Sequence, residues 1–168
     1  SKLHFPGVGD FENPKLNVLY EDGIAFVKSV KDPYDVIIID GSDPVGPAEG
    51  LFEKDFYQFC LDALTDNGVL TAQTESPWVE SYYPSMRKVF TALDELFDVS
   101  KMYLSYIPLY PAGMWSMACA TKGEDPLSSE VTKRIRSNPE LLKSLNYYNE
   151  EVHFGAFALP NFVKKIME

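Results

Sequence analysis

At 168 residues, with 45% hydrophobic and 24% charged side chains, the chain is long enough for one core and ordinary enough in composition to be globular. A formal charge of −10 argues against nucleic acid, whose capture depends on Lys and Arg, and is compatible with a small cationic ligand that a negative cleft would concentrate. No apolar run nears the roughly 20 residues of a membrane span, and Ser1 to Asp10 lack the basic start and apolar stretch of a signal peptide. A single cytoplasmic domain over residues 1–168 is the expectation.

Strand and helix signals alternate along the chain. Leu16–Tyr20 reads as a short strand ended by Asp22-Gly23, and Ile24, Phe26, Val27 and Val30 suggest a short helix. Tyr34–Asp40 (YDVIIID) is a β-branched run with little alternation, the pattern of a strand buried on both faces. Apolar residues at 52, 56, 59, 60, 63 and 64 follow helical spacing, with Gly68 placed as a stop. Val69–Thr74 is the next strand. Met86, Val89, Phe90, Leu93, Leu96 and Phe97 form a second amphipathic helix. Val99–Ile107 and Trp115–Thr121 read as two further strands joined by a Pro- and Gly-containing loop.

Such alternation predicts an open α/β sheet with helices on both faces, whose ligands lie beyond the carboxyl ends of the strands. The loops leaving those ends begin at Asp22, Asp40 and Thr74. One cleft edge therefore collects Asp22, Asp40, Asp43, Gln73 and Glu75. Cys60 and Cys119 sit in apolar segments and read as reduced core residues. His4 and His153 are far apart, with no Cys or Asp at ligand spacing, so no metal site is expected. His153 reads as structural, and Trp78 and Trp115 as core or pocket wall.

The informative segment is Asp40-Gly41-Ser42-Asp43-Pro44-Val45-Gly46-Pro47-Ala48-Glu49, directly after the β-branched strand. Its aspartates could serve only their own turn. Two carboxylates at i and i+3 on a strand's carboxyl end, with acids converging from neighbouring loops, favour a functional reading.

The pattern D-x-x-D-P-x-G-P-A-E resembles the signature loop of the polyamine aminopropyltransferases, above all those of the spermidine synthase type. Its seven specified positions would match by chance with a probability on the order of 10⁻⁹ at roughly 5% usage per residue. Glu21-Asp22-Gly23 resembles the family's adenine-contacting turn, Ala72–Trp78 (AQTESPW) its A-Q-G-E-S-x-W stretch, and Ile107–Gly113 (IPLYPAG) its I-P-T-Y-P-S-G loop. The tail from Tyr147-Tyr148-Asn149 through His153 to Phe157–Pro160 resembles the family's closing segment. Gly41 stands where Ser is usual, Thr74 where Gly is usual, and Leu109 and Ala112 where Thr and Ser are usual.

The resemblance implies a Rossmann-like, methyltransferase-type open sheet, mostly parallel with an antiparallel final hairpin. It implies aminopropyl transfer from decarboxylated S-adenosylmethionine, a co-substrate rather than a resident cofactor, to putrescine. The products would be spermidine and methylthioadenosine. Asp40 is then the expected base and Asp43 the partner of the donor's ammonium. Asp22 and Gly23 would hold the adenine, with Pro47, Ala48 and Leu51 covering its face. Gln73 and the catalytic Tyr110 would contact the acceptor amine or help relay its proton, with Glu75 a further candidate for the same region. Another acceptor, a putrescine N-methyltransferase and a non-catalytic interaction module are the alternatives. Family members usually form homodimers or homotetramers.

The family's Gly-rich donor loop and small N-terminal β domain have no counterpart in these residues. Gly7 and Gly9 in PGVGD follow no strand and open no helix. The sheet is therefore expected to be incomplete at its N-terminal side, leaving an unpaired strand edge; residues 1–168 are expected to be the C-terminal part of the family's catalytic domain, a fragment or a chain completed by a second polypeptide, that binds donor poorly alone.

Overall fold

The β-branched and amphipathic segments organise as strands and helices around one sheet in a computed structural model, which describes His4 and residues 9–168, Pro47 in its backbone alone. Gly7 lies outside the described residues; Gly9 adopts φ +82°. The strands are β1 (Tyr34–Ile39), β2 (Leu64–Gln73), β3 (Val99–Tyr106) and β4 (Met114–Thr121), in spatial order β1-β2-β4-β3. β1 and β2 are parallel, whereas β4 runs antiparallel to both β2 and β3. The expected parallel order with an antiparallel final hairpin is present, its parallel part being this single ladder. Residues 65–68 bulge from β2, since Tyr34 pairs with Leu64 but Val36 with Val69.

One sheet face builds the core. Leu70 and Ala72 of β2, Ala118 and Ala120 of β4, and Met102 of β3 point to it. Three of these are alanines, which leaves room for helices to approach closely. Here pack α2 (Lys54–Asp62), with Phe56, Tyr57 and Cys60, and α3 (Tyr83–Leu96). Met86, Val89, Phe90 and Leu93 on α3 are at most 3% exposed, the i, i+3, i+4, i+7 stripe of a helix with one buried face. Burying a side chain of that size contributes about 1.5–3 kcal/mol. Burial pushes the thiols of Cys60 and Cys119 up to about 12 and about 11, as befits inert core residues.

Four short helices follow β4. α4 (Ser129–Arg136), α5 (Pro139–Ser144) and α6 (Glu150–Ala156) are capped by the side chains of Ser128, Asn138 and Asn149; α7 is Asn161–Ile166. In α7, Val163 and Ile166 close the core, and the Ile166 carbonyl accepts from Arg87 Nε at 2.6 Å. The residue after α6, Phe157, rests on the other sheet face, its ring 5.5 Å from that of Tyr103. His153 Nε2 lies 2.8 Å from the Pro126 carbonyl, and Nδ1 lies 3.1 Å from the Tyr148 hydroxyl. A carbonyl can only accept, so Nε2 carries the proton and Nδ1 accepts from the tyrosine. These two contacts tie α6 to the segment after β4 and to the chain before α6.

Three expectations are corrected. Gly68 stops no helix: α2 ends at Asp62, and Gly68 lies within β2 in the bulge. Leu16–Tyr20 forms no strand; Leu16, Val18, Leu19 and Tyr20 are 44–95% exposed. A strand exists through its ladder partners, and none of the described residues supplies one. β1 forms as expected but is not buried on both faces: Tyr34, Val36 and Ile38 are 43%, 54% and 73% exposed. It is an edge strand, and α-helices cover only the face presented by Ile37 and Ile39. α1 (Gly23–Lys28) forms where expected, and no helix among the described residues is long and apolar enough to cross a membrane.

Candidate active site

β1 and β2 run in the same direction, so their carboxyl ends open side by side. Asp40 leaves β1 and Gln73 ends β2. The Gln73 side-chain amide donates to the Gly41 carbonyl and so ties the two strand ends together. Beyond Gly41 the chain turns through Asp43, whose carbonyl accepts from Val45 N at 2.7 Å, into a 3₁₀ helix over Gly46–Phe52. Gly46 adopts φ +60°, a conformation that side chains resist, and Glu49 Oε1 accepts from its amide at 3.2 Å. Glu49 is thus committed to the turn. Pro47 and Ala48 occupy this 3₁₀ helix, and at Gly50 the helix meets α1, where an added Cβ would stand 2.7 Å from Ile24 Cδ1.

Asp22 caps α1: its Oδ1 accepts from Ile24 N at 2.9 Å and from Ala25 N at 3.1 Å. This local bond, and not a preceding strand, fixes the turn. A Cβ at Gly23 would meet nothing within 4 Å, so the fold itself has no need of glycine there.

Three recesses meet at these residues. The first, about 350 Å³, is apolar and runs between α1, β1 and α2, with Gly23, Ile39, Asp40, Gly41, Leu51 and Phe56 in its wall. The second, about 710 Å³, is bounded by Gly41, Asp43, Gln73, Ser76, Tyr82, Tyr110 and Trp115. The third, about 420 Å³, lies on the second sheet face between Ile38, Asp40, Thr71, Gln73, Tyr110 and Trp115. Asp40 borders the first and third, Gly41 the first and second, and Gln73 and Tyr110 the second and third. Tyr110 is carried by a tight loop in which Ile107 N donates to the Gly113 carbonyl at 2.7 Å and Gly113 adopts φ +67°. Its ring lies 4.7 Å from that of Trp115, whose buried Nε1 has no hydrogen-bond partner among the described residues.

Asp40 and Asp43 are exposed, while Glu75 is 1% exposed. Burial, and then the negative charge of Asp43, push the Glu75 carboxyl up to about 7. Of the expected site residues, Asp40, Asp43, Gly23, Leu51, Gln73 and Tyr110 line these joined recesses. Glu75 lies behind the wall. Asp22 and Ala48 flank the recesses without lining them.

The chain matches the Spermine/spermidine synthase domain family over residues 2–129. It belongs to that family. It is 43% identical over 157 residues to a polyamine aminopropyltransferase of Clostridium perfringens, covering 94% of this chain and 54% of that protein. Among solved structures it resembles the spermidine synthase of Thermotoga maritima, with TM-score 0.78, 38% identity, and coverage of 94% of this chain and 50% of that one. It also resembles a spermidine synthase in complex with the transition-state analogue AdoDATO, with TM-score 0.79 and 38% identity over 94% of this chain and 52% of that one. The chain spans about half the length of the relatives it matches. The open mixed sheet is the fold of this family.

Sequence reasoning missed Ser76, Val79 and Tyr82 as cleft residues, and it missed Ser116, which is fully buried behind the cleft. Ser76 and Trp78 stand in the stretch that carries the family resemblance, so that signal was available for Ser76. Tyr82 and Ser116 carried none, because only the β2–β4 register and the turn before α3 bring them near the site.

Proposed function

We propose that this chain carries the catalytic cleft of an aminopropyltransferase that moves the aminopropyl group of decarboxylated S-adenosylmethionine to putrescine. The observation that supports this reading most is the position of Asp40, shared by an apolar recess suited to an adenosyl group and by a recess suited to a slender amine. The attacking nitrogen first gives up one proton; the nitrogen–carbon bond then forms as the carbon–sulfur bond breaks, methylthioadenosine leaves, and the product remains a secondary ammonium. An alkylamine has a pKa of about 10.4, so the attacking nitrogen arrives protonated and needs a carboxylate to orient and deprotonate it. Asp40 takes that role. The positive sulfonium alongside makes the ammonium proton easier to remove before transfer, and positioning supplies much of the rate.

Asp43 pairs with the donor's primary ammonium, and it repels the extra carboxylate of S-adenosylmethionine, which selects the decarboxylated donor. Gly23, Leu51 and the 3₁₀ helix carrying Pro47 and Ala48 enclose the adenine. The room at Gly23 suits close approach by a ligand, and the Asp22 oxygen not used in the cap accepts from the adenine amine. Gln73 and Tyr110 contact the acceptor nitrogen, and Glu75 attracts its second ammonium.

The exposed β1 edge suits pairing with further strands, and the working form is proposed to be a homodimer or homotetramer in the cytoplasm. The test is product identification. The full-length gene product, given decarboxylated S-adenosylmethionine and putrescine, should release spermidine and methylthioadenosine one for one. Release of N-methylputrescine from S-adenosylmethionine would instead make it a methyltransferase.

A further inference from the structure

Trp78 belongs neither to the core nor to the walls of the joined recesses. It is 56% exposed and lines none of them, although its neighbours Ser76 and Val79 wall the wide one. Its indole lies instead on Phe162 of α7, with ring centroids 4.5 Å apart and planes inclined by 28°, a stacked pair.

The segment between β2 and α3 is held at three points, of which this stack is the middle one. On one side Ser76 Oγ donates to the Met114 carbonyl of β4 at 3.1 Å. On the other the hydroxyl of Tyr83, the first residue of α3, reaches back to the carbonyl of the fully buried Pro77 at 3.1 Å. The chain between them turns tightly: Val79 N donates to the Ser76 carbonyl at 3.2 Å, and Tyr82 N to the Val79 carbonyl at 3.0 Å. Ser76, Val79 and Tyr82 border the recess, whereas Trp78 lies against α7.

α7 is a firm support. A helix of six residues does not hold its shape by propensity, so its packing fixes it. Val163 and Ile166 are buried in the core, and Phe162 packs partly against it. Arg87 of α3 binds the last carbonyl of α7, that of Ile166. A ring resting on such a support passes the placing of α7 on to the turn that walls the recess.

We propose that the stack of Trp78 on Phe162 is a positioning device, through which the docked α7 sets the Ser76–Tyr82 wall and the fit of whatever the wide recess receives. The inference rests on the functional reading above, in which that recess, bordered by Asp43, takes the donor's aminopropyl arm. Trp78 and Phe162 touch no substrate. Their influence reaches the arm through Ser76, Val79 and Tyr82, and it is absent for a ligand that stops short of this recess. Methylthioadenosine, which has the adenosyl group and the sulfur but no aminopropyl arm, is such a ligand.

The test is equilibrium binding of decarboxylated S-adenosylmethionine and of methylthioadenosine to the full-length gene product and its variants. Trp78→Ala comes first, because Trp78 stands outside the core and its loss leaves no cavity there. It should weaken the donor about threefold to tenfold, the range of a lost aromatic pair, and leave methylthioadenosine within about twofold. Trp78→Phe, which keeps a ring, should restore donor affinity. Phe162→Leu, which keeps apolar bulk against the core, should match Trp78→Ala, and the double variant should be no weaker than either single one. Equal weakening of both ligands would mark a general loss of structure and overturn the positioning role. Losses that add in the double variant would overturn the stack as the link. Native protein that bound neither ligand would sink the functional reading and this inference together. Native protein that bound both, with donor affinity unchanged in Trp78→Ala, would sink this inference alone.

Discussion

The two parallel strands end in acid at the same edge of the sheet, and the two ends are built in opposite ways. After β1 the chain runs exposed through Asp40 and Asp43, with side chains open to solvent and to the recesses. After β2 it runs buried through Thr74, Glu75 and Ser76, doubly bonded to β4. An exposed carboxylate keeps its charge and can meet a cation at little cost. An enclosed one is held back from ionising until a partner arrives. Environment rather than residue type separates the two acids, and on the proposed reading it divides proton removal and cation capture between them.

The comparison breaks most readily at Asp40. Asp40→Asn should lower turnover by about 10²- to 10⁴-fold, the range of a lost general base, while the donor dissociation constant stays within about threefold. Rapid-quench measurement of methylthioadenosine beside donor titration reads both quantities. Next in size is Asp43→Asn, which should weaken decarboxylated donor by about ten- to a hundredfold through loss of a charge-assisted bond. It should also narrow the preference over S-adenosylmethionine, measured by competition binding.

A third effect separates the buried end by pH. The Glu75 carboxyl lies at about 7, above its ordinary 4.5, so between those values the folded chain holds a proton that the unfolded chain has lost. Stability should therefore fall as pH rises from about 4.5 to about 7 and stay lower above that. Glu75→Gln should remove this slope and raise the melting temperature by a few degrees at alkaline pH, with little change at acid pH. A thermal melt series across pH decides it. The smallest effect is Gly41→Ser. A Cβ there would stand 3.2 Å from Leu51 Cδ1, so the flexible end of Leu51 has to shift, and donor affinity should weaken by about twofold to threefold.

The exposed end was far more legible in the sequence than the buried one. YDVIIID announces a strand by its β-branched run, and D-x-x-D-P-x-G-P-A-E is too specific to read as an ordinary turn. α2 and α3 followed from apolar spacing alone, within a turn of their observed ends. Glu75 was named from its place after β2, but its burial was not visible. Thr74 and Ser116 lie 42 positions apart, and no local pattern announces that their hydroxyls meet. Leu16–Tyr20 carries strand propensity without a partner among the described residues, and propensity lost. The tail helices have no long apolar stripe. Their caps at Ser128, Asn138 and Asn149 are the local signal that marks them.

The most direct test of this division between the strand ends sets Asp40→Asn and Glu75→Gln side by side in one steady-state assay of aminopropyl transfer, with the acceptor varied at saturating donor. Asp40→Asn should lose kcat with little change in acceptor KM. Glu75→Gln should raise acceptor KM about tenfold at alkaline pH and keep kcat within about threefold. If both substitutions moved the same parameter, or if Asp40→Asn turned over at the native rate, the account would be contradicted.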